Sequence, residues 1–204
     1  MKYPQNIAEL TELPIDLMGM IFYLKSPRYV DKLSDSEIES ISQITTHATI
    51  DRVGVFVNED IETIKQIIDT YLLDVIQLHG NESPEFCKEL NKIIPVIKAF
   101  SISEISDLEQ TKNYQGLWGY FLFDTKTPQY GGSGQKFDWS ILDAYDGKTP
   151  FLLSGGIAVD DAEAIKAIKH PKFYGVDLNS RFEIEPGLKN IKQLKKFIKA
   201  LNDE

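Results

Sequence analysis

The sequence predicts an α/β fold on one parallel sheet, with the element count of a (β/α)8 TIM barrel whose first β-strand is missing or incomplete. Three observations predict it. Short apolar runs recur roughly every 20 to 35 residues with a helical pattern in each gap, the spacing of successive βα units. Most of the runs lack strict apolar–polar alternation, which marks strands buried on both faces. A further helical pattern stands ahead of the first run, so the chain shows eight helical segments and seven strands.

In chain order, "PQNIAELTEL" (4–13) reads as the leading helix and "DLMGMIFYL" (16–24) as the first visible strand. The helix "SDSEIESISQI" (34–44) leads into the strand "RVGVFV" (52–57), and "EDIETIKQIIDTYL" (59–72) into "LDVIQL" (73–78). Next comes "SPEFCKELNKI" (83–93), where Ser83 is a good N-cap and Pro84 fits the first helical position. The strand "PVIKAF" (95–100), the helix "SEISDLEQ" (103–110) and the strand "GYFLF" (119–123) follow, then the helix "DWSILDAY" (138–145) and the strand "PFLL" (150–153). The helix "DDAEAIKAI" (160–168), the strand "FYGVDL" (173–178) and the helix "IKQLKKFIKAL" (191–201) complete the series. No repeat, low-complexity tract or Pro/Gly-rich linker divides the chain, so a single domain over residues 1–204 is expected.

Composition narrows the function classes. The 42% apolar fraction and 26% charge are those of a globular protein, and no run has the length and apolarity of a membrane span. The start, "MKYPQNIAEL", has no basic segment followed by an apolar core, and the lone cysteine, Cys87, allows no internal disulfide. A cytoplasmic setting is expected. The net charge of -9 is spread along the chain without a basic block, which argues against nucleic acid as a partner. A small anionic ligand remains compatible, provided that positive potential is supplied locally.

In a barrel the ligand sits at the C-terminal ends of the strands. Those ends carry Lys25 and Arg28 in "KSPRY", Gln77 and His79 in "QLHGNE", Asp124 after "YFLF", Gly155 and Gly156 in "LLSGGI", and Asp177, Asn179 and Ser180 in "DLNS". A carboxylate at the mouth of a buried strand suits proton transfer or ligand binding, and such chemistry normally needs a second group. The glycine pair lets backbone N–H groups approach an anion with a helix start behind it, although a plain turn is about equally expected. Arg28, beside Pro27, is expected on extended backbone with a fork suited to a carboxylate; the bland alternative is a solvated surface arginine. His79 fits a structural hydrogen bond as well as a substrate contact. Cys87 lies inside a helical stretch and reads as packing. The three histidines, His47, His79 and His170, are far apart in sequence, so no metal site is expected.

The segments "IFYLKSPRYV", "VGVFVN", "VIQLHGNE", "LFDTKTPQYGGSGQKFDW", "LLSGGI" and "GVDLNSRFEIEPGLKN" resemble, in order and over essentially the whole chain, the phosphoribosylanthranilate isomerase family of tryptophan biosynthesis. That resemblance implies a (β/α)8 barrel that works without a cofactor. The reaction implied is the Amadori rearrangement of N-(5'-phosphoribosyl)anthranilate to 1-(2-carboxyphenylamino)-1-deoxyribulose 5-phosphate. It further implies that Asp124 is the general acid and that Arg28 grips the anthranilate carboxylate. His79 and Asp177 would line the site, and Gly155, Gly156, Asn179 and Ser180 would cradle the phosphate. Asn179 and Arg181 stand where many members have Ser and Gly.

Family members open with a strand bearing a Lys-Ile/Val-Cys-Gly-Met motif whose cysteine is the general base. Met1 matches the methionine of that motif, so the first strand and its cysteine are expected upstream of Met1, and residues 1–204 alone are expected to be impaired. A misplaced start is the simplest reading, and true loss of the strand the other. The competing functional reading is a non-catalytic barrel that binds phosphorylated ligands. A pentose-phosphate epimerase would need several histidines at strand ends, which this chain lacks. A small phosphorylated substrate and a monomer or homodimer are expected.

Overall fold

A computed structural model describes residues 1–30, 33–117, 119–126 and 136–203. Seven strands form one sheet: β1 (Leu17–Ile21), β2 (Asp51–Phe56), β3 (Val75–Leu78), β4 (Val96–Ile102), β5 (Gly119–Thr125), β6 (Phe151–Leu153) and β7 (Phe173–Val176). They pair in sequence order and every pairing is parallel. Among the described residues β2 is the only strand paired with β1 and β6 the only one paired with β7, so the sheet stays open between β1 and β7. The expected gap between the first and last visible strands is therefore present.

Alternation along the strands divides the core into two layers. Val53, Val75, Ile97, Ala99, Leu122 and Leu152 form one buried cluster, with Leu17 and Tyr120 packed against it. Those residues come from six successive strands, and they can meet on one face only if the sheet curls around them. The intervening side chains, among them Phe56, Phe121, Phe123 and Phe151, are fully buried in the larger cluster on the other face. Burying each such ring contributes about 1.5–3 kcal/mol.

The outer layer is α1 (Pro4–Leu10), α2 (Asp35–His47), α3 (Ile61–Tyr71), α4 (Pro84–Leu90), α5 (Ala162–Lys166) and α6 (Ile191–Asn202). Local chemistry sets their starts. Ser34 and Glu37 form a reciprocal capping box, Asp60 accepts from the N–H groups of Glu62 and Thr63, and Ser83 accepts from Phe86 N–H with Pro84 next in line.

Two expected α-helices are instead 3-10 helices, Ile105–Tyr114 and Trp139–Ala144. Their inward residues fall three apart, at Leu108, Thr111 and Tyr114 and at Trp139, Leu142 and Tyr145, a period that matches three residues per turn. The segment expected as a helix from 160 starts as a 3-10 turn, Val159–Asp161, before the short α5. A two-stranded antiparallel hairpin that periodicity did not predict follows β7: β8 (Glu183–Glu185) and β9 (Leu188–Lys189), turned at Gly187 with φ 89°.

The open edge of β1 is partly occupied. Phe22 N–H donates to Val55 O and Asp51 N–H to Asp16 O, so even-numbered residues of β1 face β2 and odd-numbered ones face the gap. On that side Val30 N–H donates to Ile21 O at 2.8 Å, and the Met1 nitrogen donates to Gly19 O.

Candidate active site

The inner-face pattern carries straight into the site. Beyond Val75, the same face of β3 presents Gln77 and then His79; beyond Leu122, β5 presents Asp124; beyond Leu152, β6 leads to Ser154. Asp177 N–H donates to Leu153 O at 2.8 Å, which sets Asp177 beside Ser154. Four strand ends thus deliver polar groups to one mouth above an apolar floor.

His79 Nε2 lies 3.2 Å from Asp124 Oδ2, with both side chains largely buried. The Gln77 amide nitrogen is 2.7 Å from His79 Nδ1. An amide NH2 can only donate, which leaves the ring proton on Nε2, facing the carboxylate. The other carboxylate oxygen, Asp124 Oδ1, accepts from Thr125 N–H at 2.8 Å, so Oδ2 is the oxygen left to the mouth. Ser154 Oγ donates to Asp177 Oδ2 at 2.8 Å and fixes the second carboxylate in the same way.

Gly155 presses against the first of these carboxylates. A Cβ there would lie 2.2 Å from Thr125 Oγ1 and 2.8 Å from Asp124 Oδ1, and the backbone is at φ 91°. Gly156 follows at φ 66°. Both conformations favour glycine, and together they bring the loop after β6 onto the end of β5. The expected helix start behind this pair is a 3-10 turn, Val159–Asp161, followed by the five-residue α5. Asn179 and Ser180 open a short 3-10 helix, Ser180–Phe182, after β7. The stretch "TPQYGGSGQ" (127–135), part of the recognised loop, lies outside the described residues.

Arg28 is neither a solvated surface arginine nor on extended backbone. Tyr29 N–H donates to Ser26 O at 3.0 Å across a turn in which Pro27 takes the position its fixed φ suits. The guanidinium pairs with Glu183 at 2.7–3.1 Å through Nε and Nη2. Burial alone would push the Glu183 carboxyl up, but the Arg28 hydrogen bonds, Lys189 and Gly187 N–H hold it below the usual carboxylate range. Lys189 Nζ, 3.5 Å from Glu183, also donates to Leu178 O and Asn179 Oδ1. Burial pulls the Lys189 ammonium below its ordinary value despite Glu183 and Asp177.

Sequence reasoning missed Glu183, Lys189 and a second buried pair, Lys98 and Glu82. Lys98 sits on a strand face between apolar neighbours, where a lone charge gives no pattern. Its Nζ reaches Glu82 Oε2 at 3.1 Å and the carbonyls of Leu78, Gly80 and Ala99. Glu82 in turn accepts from Asn58 and Gly80 N–H. The pair pins the loop that carries His79. Cys87 is fully buried in α4, and burial pushes its thiol up to about 12, as packing rather than chemistry requires. No group of three or more His, Cys, Asp or Glu suited to a metal occurs among the described residues.

Residues 1–200 match the family model described as N-(5'phosphoribosyl)anthranilate (PRA) isomerase. A relative from Parabacteroides distasonis, named N-(5'-phosphoribosyl)anthranilate isomerase, is 51% identical over 98% of this chain and 90% of its own length. One of the same name from Phocaeicola vulgatus is 42% identical over 100% of this chain and 96% of its own. The crystal structure of phosphoribosyl anthranilate isomerase from Thermotoga maritima superposes with a TM-score of 0.82 at 35% identity, covering 98% of this chain and 95% of that one. A structure of the enzyme in complex with reduced 1-(o-carboxyphenylamino)-1-deoxyribulose 5-phosphate superposes with a TM-score of 0.78 at 31% identity, covering 98% and 94%.

Proposed function

The chain belongs to the N-(5'-phosphoribosyl)anthranilate isomerase family, and from that premise we propose how its own residues divide the reaction. It is an isomerase of tryptophan biosynthesis that converts N-(5'-phosphoribosyl)anthranilate to 1-(2-carboxyphenylamino)-1-deoxyribulose 5-phosphate. Asp124 is the general acid. Its Oδ2 protonates the furanose ring oxygen, the bond from that oxygen to C1' breaks, and the anthranilate nitrogen supplies the electron pair that forms the Schiff base. Removal of the C2' proton by a base then gives an enolamine that tautomerises to the ketone. His79, held by Gln77, keeps Oδ2 aimed into the mouth. The observation that carries this reading is the His79–Asp124 contact at the top of the inner face.

Arg28 grips the aryl carboxylate, Asp177 lines the site, and Gly155, Gly156, Asn179 and Ser180 cradle the phosphate. The ligand class is a small phosphorylated molecule, no cofactor is required, and the acting unit is one barrel domain over residues 1–204, as a monomer or homodimer. No described helix is long and apolar enough to cross a membrane, and we place the protein in the cytoplasm.

The base is the remaining part. Around Asp124 the described residues offer His79, Gln77, Ser154 and Asp177 but no thiol, and Cys87 lies in the helical layer. The reading that follows is that a cysteine-bearing strand seated in the gap between β1 and β7 supplies the base, and that residues 1–204 without one turn over poorly.

Binding tests the site without needing the base. Calorimetric titration with reduced 1-(o-carboxyphenylamino)-1-deoxyribulose 5-phosphate is expected to show binding that Arg28→Ala weakens by about 10- to 150-fold, the value of a charge-assisted hydrogen bond. Unchanged affinity in that variant would remove Arg28 from the site.

A further inference from the structure

We propose that Glu183 is a positioning residue that aims the Arg28 guanidinium at the substrate's carboxylate. The proposal rests on the reading of Arg28 as the carboxylate grip. A guanidinium has two edges able to hold a carboxylate bidentately, a side edge made by Nε and one terminal nitrogen and an end edge made by both terminal nitrogens. Glu183 occupies the side edge of Arg28, at 2.8 Å from Nε and 2.7 Å from Nη2. The end edge has no protein partner among the described residues, and it is the edge a ligand carboxylate can take. One carboxylate inside the protein thus fixes the plane in which a second, from the ligand, is received.

Glu183 is itself held. Its side chain is 4% exposed, against 13% for Arg28. Its Oε1 also accepts from Gly187 N–H at 3.1 Å and faces Lys189 Nζ at 3.5 Å. The hairpin of β8 and β9 therefore works as a bracket: its turn and both its strands contribute to the carboxylate's position. Arg28 follows β1 and Glu183 follows β7, strands that do not pair with one another, so no direct β1–β7 ladder of backbone hydrogen bonds fixes the distance between the two loops. An arginine on a long flexible stem in a turn would otherwise lose several rotamers on binding, and holding it in advance removes that cost.

The test is calorimetric titration with two probes. The first is reduced 1-(o-carboxyphenylamino)-1-deoxyribulose 5-phosphate; the second is its anilino counterpart, the same sugar phosphate without the aryl carboxylate. Glu183→Gln is expected to weaken the first by about 5- to 30-fold, within the range of coupling between residues in contact, and the second by less than about twofold. In an Arg28→Ala background Glu183→Gln is expected to change neither. Should Glu183→Gln fail to fold, Glu183→Asp keeps the charge while shortening its reach, and the same selective loss, smaller in size, is expected. A loss that strikes both probes alike, or that adds fully to the loss in Arg28→Ala, would overturn the proposal and leave Arg28 in place. If Arg28→Ala itself fails to discriminate between the probes, the reading of Arg28 falls, and the proposal with it.

Discussion

His79 Nε2 faces Asp124 Oδ2 at 3.2 Å, and the contact joins β3 to β5 across the intervening β4 at the mouth of the sheet. With Gln77 behind the imidazole and Thr125 N–H on the far carboxylate oxygen, Asp124 has one oxygen held by the backbone and the other, Oδ2, set between His79 and the mouth.

Asp124→Asn keeps the size of that side chain and removes its acidity. In a chain extended upstream by a family-like strand ending in Cys-Gly, turnover is expected to fall by about 100- to 10,000-fold, the range for a general acid. Binding of the reduced product analogue is expected to stay within a few-fold of the unsubstituted protein. Full-rate turnover by Asp124→Asn would show that another group donates the proton.

Lys98→Met is expected to destabilise the fold by about 3–5 kcal/mol, read as a shift in the urea midpoint, because Glu82 would be left buried with its charge unpaired. Adding Glu82→Gln should recover part of that loss. A single substitution that leaves the midpoint in place would mean that the pair, 3% and 2% exposed, does not hold the His79 loop.

Gly155→Ala places a methyl group against Thr125 and Asp124 at a φ of 91°. A loss of about 1 kcal/mol or more is expected from the backbone alone, with weaker binding of the product analogue as the loop is driven off the carboxylate. Stability and affinity both at the level of the unsubstituted protein would show that the loop is not packed in this way.

Cys87 sets a limit at alkaline pH. Burial favours its neutral thiol, raising it from 9.0 to about 12. A group raised in the folded state contributes stability that is present below its unfolded value and is lost as pH climbs through the folded one. Between pH 9 and about 12 the unsubstituted protein should therefore lose more stability than Cys87→Ala, measured by denaturant titration at each pH. Parallel decline of the two curves would contradict the burial of this thiol.

The strands were legible because each is a short apolar run between turn signals. Leu122 and Asp124 also show how the site could be read: the same alternation that buries the first delivers the second to the mouth. The 3-10 helices were not legible, since Leu108 with Thr111 and Trp139 with Leu142 fit the i, i+3 half of an α-helical pattern as well. Glu183 gave no signal because its ion-pair partner Arg28 lies far away in sequence, and Lys189 gave none because its acceptors gather around it only once the hairpin has formed. Arg28 was placed at the right strand end, but its ion pair depends on a hairpin that no periodicity announces. Lys98 was hidden for a related reason: its acceptors are mostly backbone carbonyls, which every residue carries.

The central claim is that Asp124 works with a base carried by a strand that fills the gap between β1 and β7. Steady-state turnover of N-(5'-phosphoribosyl)anthranilate, compared across three chains, tests it most directly. They are residues 1–204 alone, the same residues with a family-like strand ending in Cys-Gly ahead of Met1, and that extension with Ser in place of Cys. The account predicts little or no turnover by the first, restored turnover by the second, and restored stability without turnover in the third. Robust turnover by residues 1–204 alone, or equal rates for the Cys and Ser extensions, would contradict it and locate the base elsewhere in the chain.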